Sequence, residues 1–290
     1  MHTSKQHFVP RMILKNFAYE KKRTWAYRSN DDKIVPTNIN DLCCKNDLYE
    51  TRWKEGTVQG ETFVLDNKLE KMFSEEESKM TDIIGGILID VENGKVNLSD
   101  NDKRDLLKFF AGLLLRNIYL LDDEMKAYEG VEKEEALKGC IEIAKWILQE
   151  KGLGDLSSWL EQNIKISMFN EEIENSPLSI ELSNLEKRKM YFWRSSEEIF
   201  ITSCFPIIID GLGEGRNDRV AIPISPKCVC VFMDPNLWIG EEGDVIDVDK
   251  KNAMCLNESF LKNMKMDNMK LISKNKEELE RLKKLYNKSK

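Results

Sequence analysis

Residues 106–118 limit what this chain can fold into more than any other stretch. Leu106, Leu107, Phe109, Phe110, Leu113, Leu114, Leu115 and Ile118 nearly surround a helical axis. A helix that is apolar on every side has to lie among other elements rather than on a surface. It is no membrane span, because Lys108 and Arg116 interrupt it and a bilayer needs roughly 20 apolar residues in succession. Ahead of it stands Ser99-Asp100-Asn101-Asp102, a serine cap followed three residues later by an acid, which marks a helix start. The spacing therefore predicts a central, buried helix over 100–125.

The elements that must enclose it can be read on both sides. Val9-Pro10 before Arg-Met-Ile-Leu-Lys-Asn-Phe predicts a short helix opened by proline, whose missing N–H costs nothing there. Residues 24–29 and 33–39 flank Asn30-Asp31-Asp32 as a hairpin, with Pro36 confining the second strand to an edge. Phe63, Val64, Met72, Phe73, Met80, Ile83 and Ile84 recur at roughly helical spacing and predict a helix over 59–84, interrupted near Ser74. Further helices are expected over 131–149 and 156–163. From 165 onward the period becomes that of strands: KISMF, MYFWR, EIFITS, VAIPIS and KCVCVFM are short apolar or alternating runs between turn residues. Beyond 249 follow a helix, a short strand at Met269 to Ser273 and a charged terminal helix. Helices first and strands after predict an α+β fold. A helical first half, 1–164, with a small N-terminal hairpin, would pack with an antiparallel sheet of about five strands in 165–290. No stretch rich in Pro, Gly or Ser separates the halves, so residues 1–290 are expected to form a single composite domain.

With 41% hydrophobic and 33% charged residues, the composition is that of a globular chain rather than a disordered one. The opening MHTSKQHFVPRM has cations but neither an apolar core nor a small-residue cleavage site, so no secretory signal is expected and the cytoplasm is the expected location. Seven cysteines without zinc-type spacing predict free, mostly buried thiols. The net charge of −7 is uneven: residues 1–28 carry seven Lys/Arg against one acid and 261–290 ten against four, leaving a strongly acidic middle. Such a body repels a polyanion except where the basic ends meet on one face. Sequence-independent coating of DNA is thereby disfavoured; a local anion site near the N-terminus is not.

Chemistry has few residues to use. The only histidines are His2 and His7, so no zinc site can be assembled from several imidazoles, and a catalytic metal would be a hard ion such as Mg²⁺ or Mn²⁺ on carboxylates. Neither a G-x-S-x-G elbow nor a G-K-[ST] phosphate loop is present. What stands out is Gln6-His7-Phe8-Val9-Pro10-Arg11, which sets an imidazole and a guanidinium close together at a proline-started helix. A helix N-terminus and an arginine both favour phosphate or carboxylate, and histidine can carry a proton near neutral pH. The structural alternative is that His7 caps the helix or bonds a neighbouring strand, with Arg11 on a local acid. Glu70 and Glu77 lie two helical turns apart on one face; solvated surface acids, alongside Glu75 and Glu76, are their plainer account. Arg116, inside the apolar helix, must be paired if it is buried, and Glu70 or Glu77 is the expected partner. Thr202 and Ser203 end an apolar strand just before Phe205-Pro206, where side chains emerge into a cleft or form a turn.

The segment QHFVPRMILKNFA resembles the opening of a bacterial family known as domain of unknown function 4238, in which a His, a Val-Pro pair and a Leu-(Arg/Lys)-x-Phe ending recur. Further along, Asn46 to Thr51 resembles its short aromatic segment, Glu70 and Glu77 its two helical carboxylates, and Arg116 its mid-helix arginine. Phe200 to Pro206 resembles its Phe-x-Thr-Ser-Asp-x-Pro strand end, and Ile222 to Pro226 its Pro-(Leu/Ile)-Ser-Pro turn. Cys204 departs from the pattern, standing where the family has an acid. If that acid binds metal or acts as base, this chain has lost the function or does it differently. The resemblance implies a fold and a shared site and brings no established activity with it.

Together these residues predict an intracellular, nuclease-like or phosphodiester-acting hydrolase, an effector in defence against phage. His7 would be its acid–base group, Arg11 and Arg116 would stabilise the phosphate, Glu70 and Glu77 would orient them or recruit Mg²⁺ or Mn²⁺, and Thr202 and Ser203 would bind substrate. The expected partners are nucleic acid or a nucleotide, and no membrane. The alternative is a non-catalytic binding or regulatory module for a nucleotide, nucleic acid or protein, which Cys204 favours. A third is a protein whose basic C-terminal helix docks on RNA or another acidic chain.

Overall fold

The computed structural model describes residues 5–49, 51–52, 63–64, 67–116, 165–210, 218–237, 240–265 and 269–289. Strand β1 (Lys5–His7) leads into helix α1 (Arg11–Asn16), and the carbonyl of Pro10 receives the N–H groups of Ile13 and Leu14, both wholly buried. Strands β2 (Arg23–Arg28) and β3 (Lys33–Asn38) form the expected hairpin, with Pro36 on an edge strand where its missing N–H breaks no ladder. A 3₁₀ turn, Ile39–Asp41, brings in β4 (Cys44–Asn46), which pairs antiparallel with β1 so that His7 lies opposite Cys44. Short strands β5 (Thr51–Arg52) and β6 (Phe63–Val64) pair with each other.

Helix α2 (Lys68–Asn93) begins later than expected, passes Ser74 without interruption and runs well beyond 84. Its buried stripe explains the extension, because Phe73, Met80, Ile84, Ile87 and Val91 continue at helical spacing through exposed Gly85 and Gly86. It stops at Gly94, whose φ of +92° suits a left-handed helix end. Helix α3 (Asp100–Leu115) is capped as its sequence implies: the Ser99 hydroxyl accepts from the Asp102 N–H at 3.1 Å and donates to the Asp102 carboxylate at 2.7 Å. From Leu106 to Leu115 every residue except Lys108 is buried. The described helix ends at Leu115 with Arg116 as its cap. The expected remainder to 125 and the helices expected over 131–149 and 156–163 lie outside the described residues.

Residues 165–168, expected as a strand, form a helical turn instead. Met168 and Phe169 are consecutive and both buried, which a strand with only one covered face cannot provide. Helix α4 (Pro177–Glu186) follows and packs along α3; Ser176 caps it by accepting from the Ser179 N–H, and Pro177 occupies its first turn.

The strands form two principal sheets. The five-stranded one is ordered β12-β7-β11-β10-β9 and contains β7 (Lys189–Arg194), β9 (Ile208–Asp210), β10 (Arg219–Ser225), β11 (Cys228–Met233) and β12 (Val245–Asp247). It is antiparallel except that β12 runs parallel to β7. The run EIFITS is not a member. Only β8 (Thr202–Ser203) is strand there, because the preceding Ile201 N–H bonds the Asn257 side chain instead of a ladder. Strand β8 joins β13 (Lys270–Ser273) and the N-terminal hairpin in a four-stranded sheet ordered β3-β2-β13-β8. That sheet draws strands from both ends of the chain, giving the α+β fold a mixed rather than a segregated layout. Helix α5 (Lys250–Ser259) is capped by Asp249, and α6 (Lys276–Lys288) lays Leu279, Leu282 and Tyr286 against the four-stranded sheet. Among the described residues no helix is long and apolar enough to cross a membrane.

Candidate functional site

The N-terminal corner is built around Tyr49. Gln6, wholly buried, accepts the Tyr49 N–H on its side-chain oxygen at 2.8 Å, and the Tyr49 hydroxyl donates to the His7 carbonyl at 3.3 Å. Residues 6 and 7 therefore bracket one buried aromatic side chain. Burial, reinforced by the charges of Arg11 and Lys5, lowers the His7 pKa to about 4, against a smaller opposing effect of the Ile39 and Asn40 backbone. His7 is thus an uncharged imidazole at neutral pH. Its Nε2 is closed off from solvent and has no hydrogen-bond partner. Arg11 is exposed, and its charge acts on both His7 and Glu77. Helix α1 has only six residues, so Arg11 and Lys5 rather than a helix dipole supply the positive potential here.

Arg116 caps α3 and is wholly buried. Its Nη1 donates to Glu77 Oε1 at 2.9 Å and its Nη2 to Glu76 Oε2 at 2.5 Å. The guanidinium carbon lies 3.8 Å above the Phe73 ring and 5.6 Å from the centre of Phe109, where a cation meets the negative faces of the rings. Its Nε has no partner. Burial raises the Glu77 carboxyl pKa, more than Arg116 pulls it down. One cation thus holds two adjacent carboxylates from α2, and both of its outer nitrogens are engaged.

Phe73 joins the two halves of this arrangement. Tyr49 and Phe169 each meet it edge-on with ring centres 4.9 Å away, while Arg116 lies over its face. His7, Tyr49, Phe73 and Arg116 are consequently consecutive neighbours. Burial raises the Tyr49 phenol pKa; Arg116 opposes this, and Glu70 and Glu77 add to it. Glu70, in the first turn of α2, bears on Tyr49. A cleft of about 280 Å³ opens between α2 and α3, with Phe73, Glu76, Met80, Lys108, Gly112 and Phe169 in its walls.

The sequence candidates therefore fall into two groups. His7, Arg11, Glu70, Glu77 and Arg116 are gathered around Tyr49 and Phe73. Thr202 and Ser203 are wholly buried on β8. The Ser203 hydroxyl accepts from the Phe205 N–H at 3.1 Å and donates to the Phe205 carbonyl, closing a local turn, while Thr202 Oγ1 is buried without a partner. This segment approaches the N-terminal corner through sulfur: Cys204 Sγ lies 3.0 Å from Cys43 Sγ, and the Cys43 carbonyl accepts the Phe8 N–H at 3.0 Å. Among the described residues, no group of three or more His, Cys, Asp or Glu is placed to hold a metal ion. His2 lies outside the described residues.

Three members of the cluster were not sequence candidates. Glu76 could have been found by helical spacing, because Glu76 and Glu77 both stand three or four residues from buried Phe73 and Met80 and so border the covered face of α2. Phe73 was legible as a core residue. Tyr49 is marked only as the aromatic residue of the Asn46 to Thr51 segment that resembles the family's, and its role comes from contacts 42 and 43 residues away in sequence.

The sequence model of a family described as "Protein of unknown function (DUF4238)" matches residues 5–277, nearly the whole chain, and the chain belongs to that family. No curated protein and no solved structure matches it.

Proposed function

We propose that this member of the DUF4238 family is a nuclease-like, phosphodiester-acting hydrolase whose acid–base group is His7. The observation that carries the reading is an imidazole kept neutral at physiological pH, with an unengaged Nε2, beside an exposed arginine. A general base needs a free nitrogen and must be unprotonated at the working pH. In this reading substrate binding uncovers His7 Nε2, which is closed off from solvent in the free protein, so that it takes the proton of the attacking water or ribose hydroxyl, while Arg11 pairs with a phosphate oxygen, which guanidinium geometry suits. Arg116 acts as a positioning residue, since both outer nitrogens already hold Glu76 and Glu77. Glu70 and Glu77 orient the corner through Tyr49 and Arg116. Directed at phage nucleic acid, such chemistry would make the protein a defence effector; plaque counts on cells carrying wild type or His7→Ala test that setting.

The test of the chemistry is cleavage of RNA, single-stranded DNA, duplex DNA and a nitrophenyl phosphodiester, with and without Mg²⁺ or Mn²⁺. Wild type should act on at least one substrate, His7→Ala should lose about 100-fold or more, and Arg11→Ala should raise KM. Equal rates in wild type and His7→Ala would remove His7 from the mechanism. The second reading, a binding module without catalysis, is favoured by the double neutralisation of Arg116 and by the closed turn around Ser203. It predicts retention of a nucleotide or nucleic acid by the wild type with no turnover.

A further inference from the structure

The cysteines of this protein are not equivalent. Cys228 and Cys230 are buried in β11, Cys44 is half-buried with its sulfur 3.6 Å from the Asn40 carbonyl, and Cys255 is exposed. Cys43 and Cys204 differ from these in meeting each other, Sγ to Sγ, at 3.0 Å across 161 residues of sequence. Both backbones are fixed. Cys43 accepts the Phe8 N–H just before β4 and sits at φ +50°, a left-handed conformation that few side chains other than Asn, Asp or Gly adopt. Cys204 donates its N–H to the Lys270 carbonyl at 3.1 Å and lies within the turn that Ser203 closes. Closing from 3.0 Å to the roughly 2.05 Å of a disulfide asks for about 1 Å of side-chain movement.

We propose that Cys43 and Cys204 are a redox pair, oxidised by a hydroperoxide to a disulfide that ties the β1–β4 corner to strand β8. The two sulfurs share one hydrogen bond in which either can donate; the contact with Cys43 and the Lys270 charge pull the Cys204 thiol below its usual range, while burial holds the Cys43 thiol well above it. Cys204 is accordingly the attacking sulfur. It displaces the distal oxygen of hydrogen peroxide: an S–O bond forms, the O–O bond breaks, and hydroxide leaves and takes up a proton as water. The Cys43 sulfur then attacks the sulfenic sulfur, the S–S bond forms, the S–O bond breaks, and the hydroxyl leaves with the Cys43 proton as a second water. Two thiols and one peroxide give one disulfide and two waters, with two electrons passing from sulfur to oxygen. The near-complete burial of both residues restricts the oxidant to a small molecule.

The experiment treats the full chain with hydrogen peroxide, increased until exposed Cys255 is consumed, then blocks free thiols with N-ethylmaleimide and maps tryptic peptides by mass. Wild type should lose two hydrogens between the peptide carrying Cys43 and Cys44 and the one carrying Cys204. Dithiothreitol should reverse the link, and the oxidised protein should melt at a higher temperature. Cys44→Ser should behave like wild type, whereas Cys43→Ser and Cys204→Ser should show neither link nor shift. Consumption of Cys255 without this link, a link that survives in Cys43→Ser, or a link of Cys204 to Cys140 or Cys44 would overturn the proposal. Should Cys204→Ser fail to fold, the wild-type map and Cys44→Ser decide the matter alone. None of these measurements depends on catalysis by His7.

Discussion

Arg116 is the residue on which most of the cluster rests. A buried guanidinium without its carboxylates, or carboxylates left without it, carries the full desolvation penalty of an unpaired charge. Arg116→Met should therefore destabilise the protein by about 3 kcal/mol in urea unfolding. The triple variant with Glu76→Gln and Glu77→Gln should recover part of that loss, because no charge is then left unpaired. His7 gives a prediction of opposite kind. Its pKa is lowered from 6.5 to about 4 in the fold, so between these values the unfolded chain binds the extra proton and the folded one does not. Stability should fall as pH drops from 6.5 toward 4, be unaffected by this group above 6.5, and lose that component of the slope in His7→Gln. Unfolding midpoints across pH 3.5–8 check this; parallel curves for the two proteins would contradict it. At this scale the sequence was partly legible. An arginine inside an apolar helix announces a buried partner, and of the two expected, Glu70 and Glu77, the structure pairs it with Glu77, joined by Glu76. Tyr49 and Glu76 were not picked out, one fixed by distant contacts and the other resembling a surface acid beside Glu75.

Elements whose signals are local were legible: the proline before α1, the hairpin around Asn30-Asp31-Asp32, and the Ser99 cap of α3. Those set by partners were not. KISMF looks strand-like over five residues, too few to separate the two periods, and burial of adjacent Met168 and Phe169 settles it as helical. Ser176-Pro177 is a helix start whose weight shows only once α4 is seen packed on α3. Helix α2 offers a direct test of the glycine argument. At Gly85 and Gly86 an added Cβ meets nothing within 4 Å, and both positions are helical, so alanine at either should stabilise by about 0.5–1 kcal/mol. Gly94, at φ +92°, should instead be destabilised by alanine. Thermal unfolding of the three variants distinguishes these outcomes, and a gain at Gly94 would refute the assigned helix end.

The two ends of the chain meet across the whole molecule. Strand β13 lies between β2 and β8, and α6 covers the hairpin, where Lys283 reaches Asp32 at 2.9 Å and Asn287 reaches its carboxylate at 3.2 Å. The basic N- and C-terminal segments are thus neighbours, an arrangement that pairwise periodicity cannot reveal because it depends on a strand order only the folded chain defines. Asn257 secures the join: its side chain accepts from Ile201 and donates to Ile199 and to Glu278, which in turn holds Arg281. Asn257→Ala leaves buried groups unsatisfied and should cost about 3 kcal/mol, with proteolysis of the 23–38 hairpin increasing in step. A chain ended at 249 should expose that hairpin to protease outright, since its central neighbour is gone.

Whether an unprotonated His7 moves the proton in phosphodiester cleavage is decided by the pH dependence of kcat/KM for wild type and His7→Ala. The wild-type rate should be level from pH 8 to about 5 and decline with an apparent pKa near 4, with His7→Ala about 100-fold or more slower at neutral pH and lacking that acid limb. A His7→Ala profile that overlays the wild type, in rate and in shape, would contradict it.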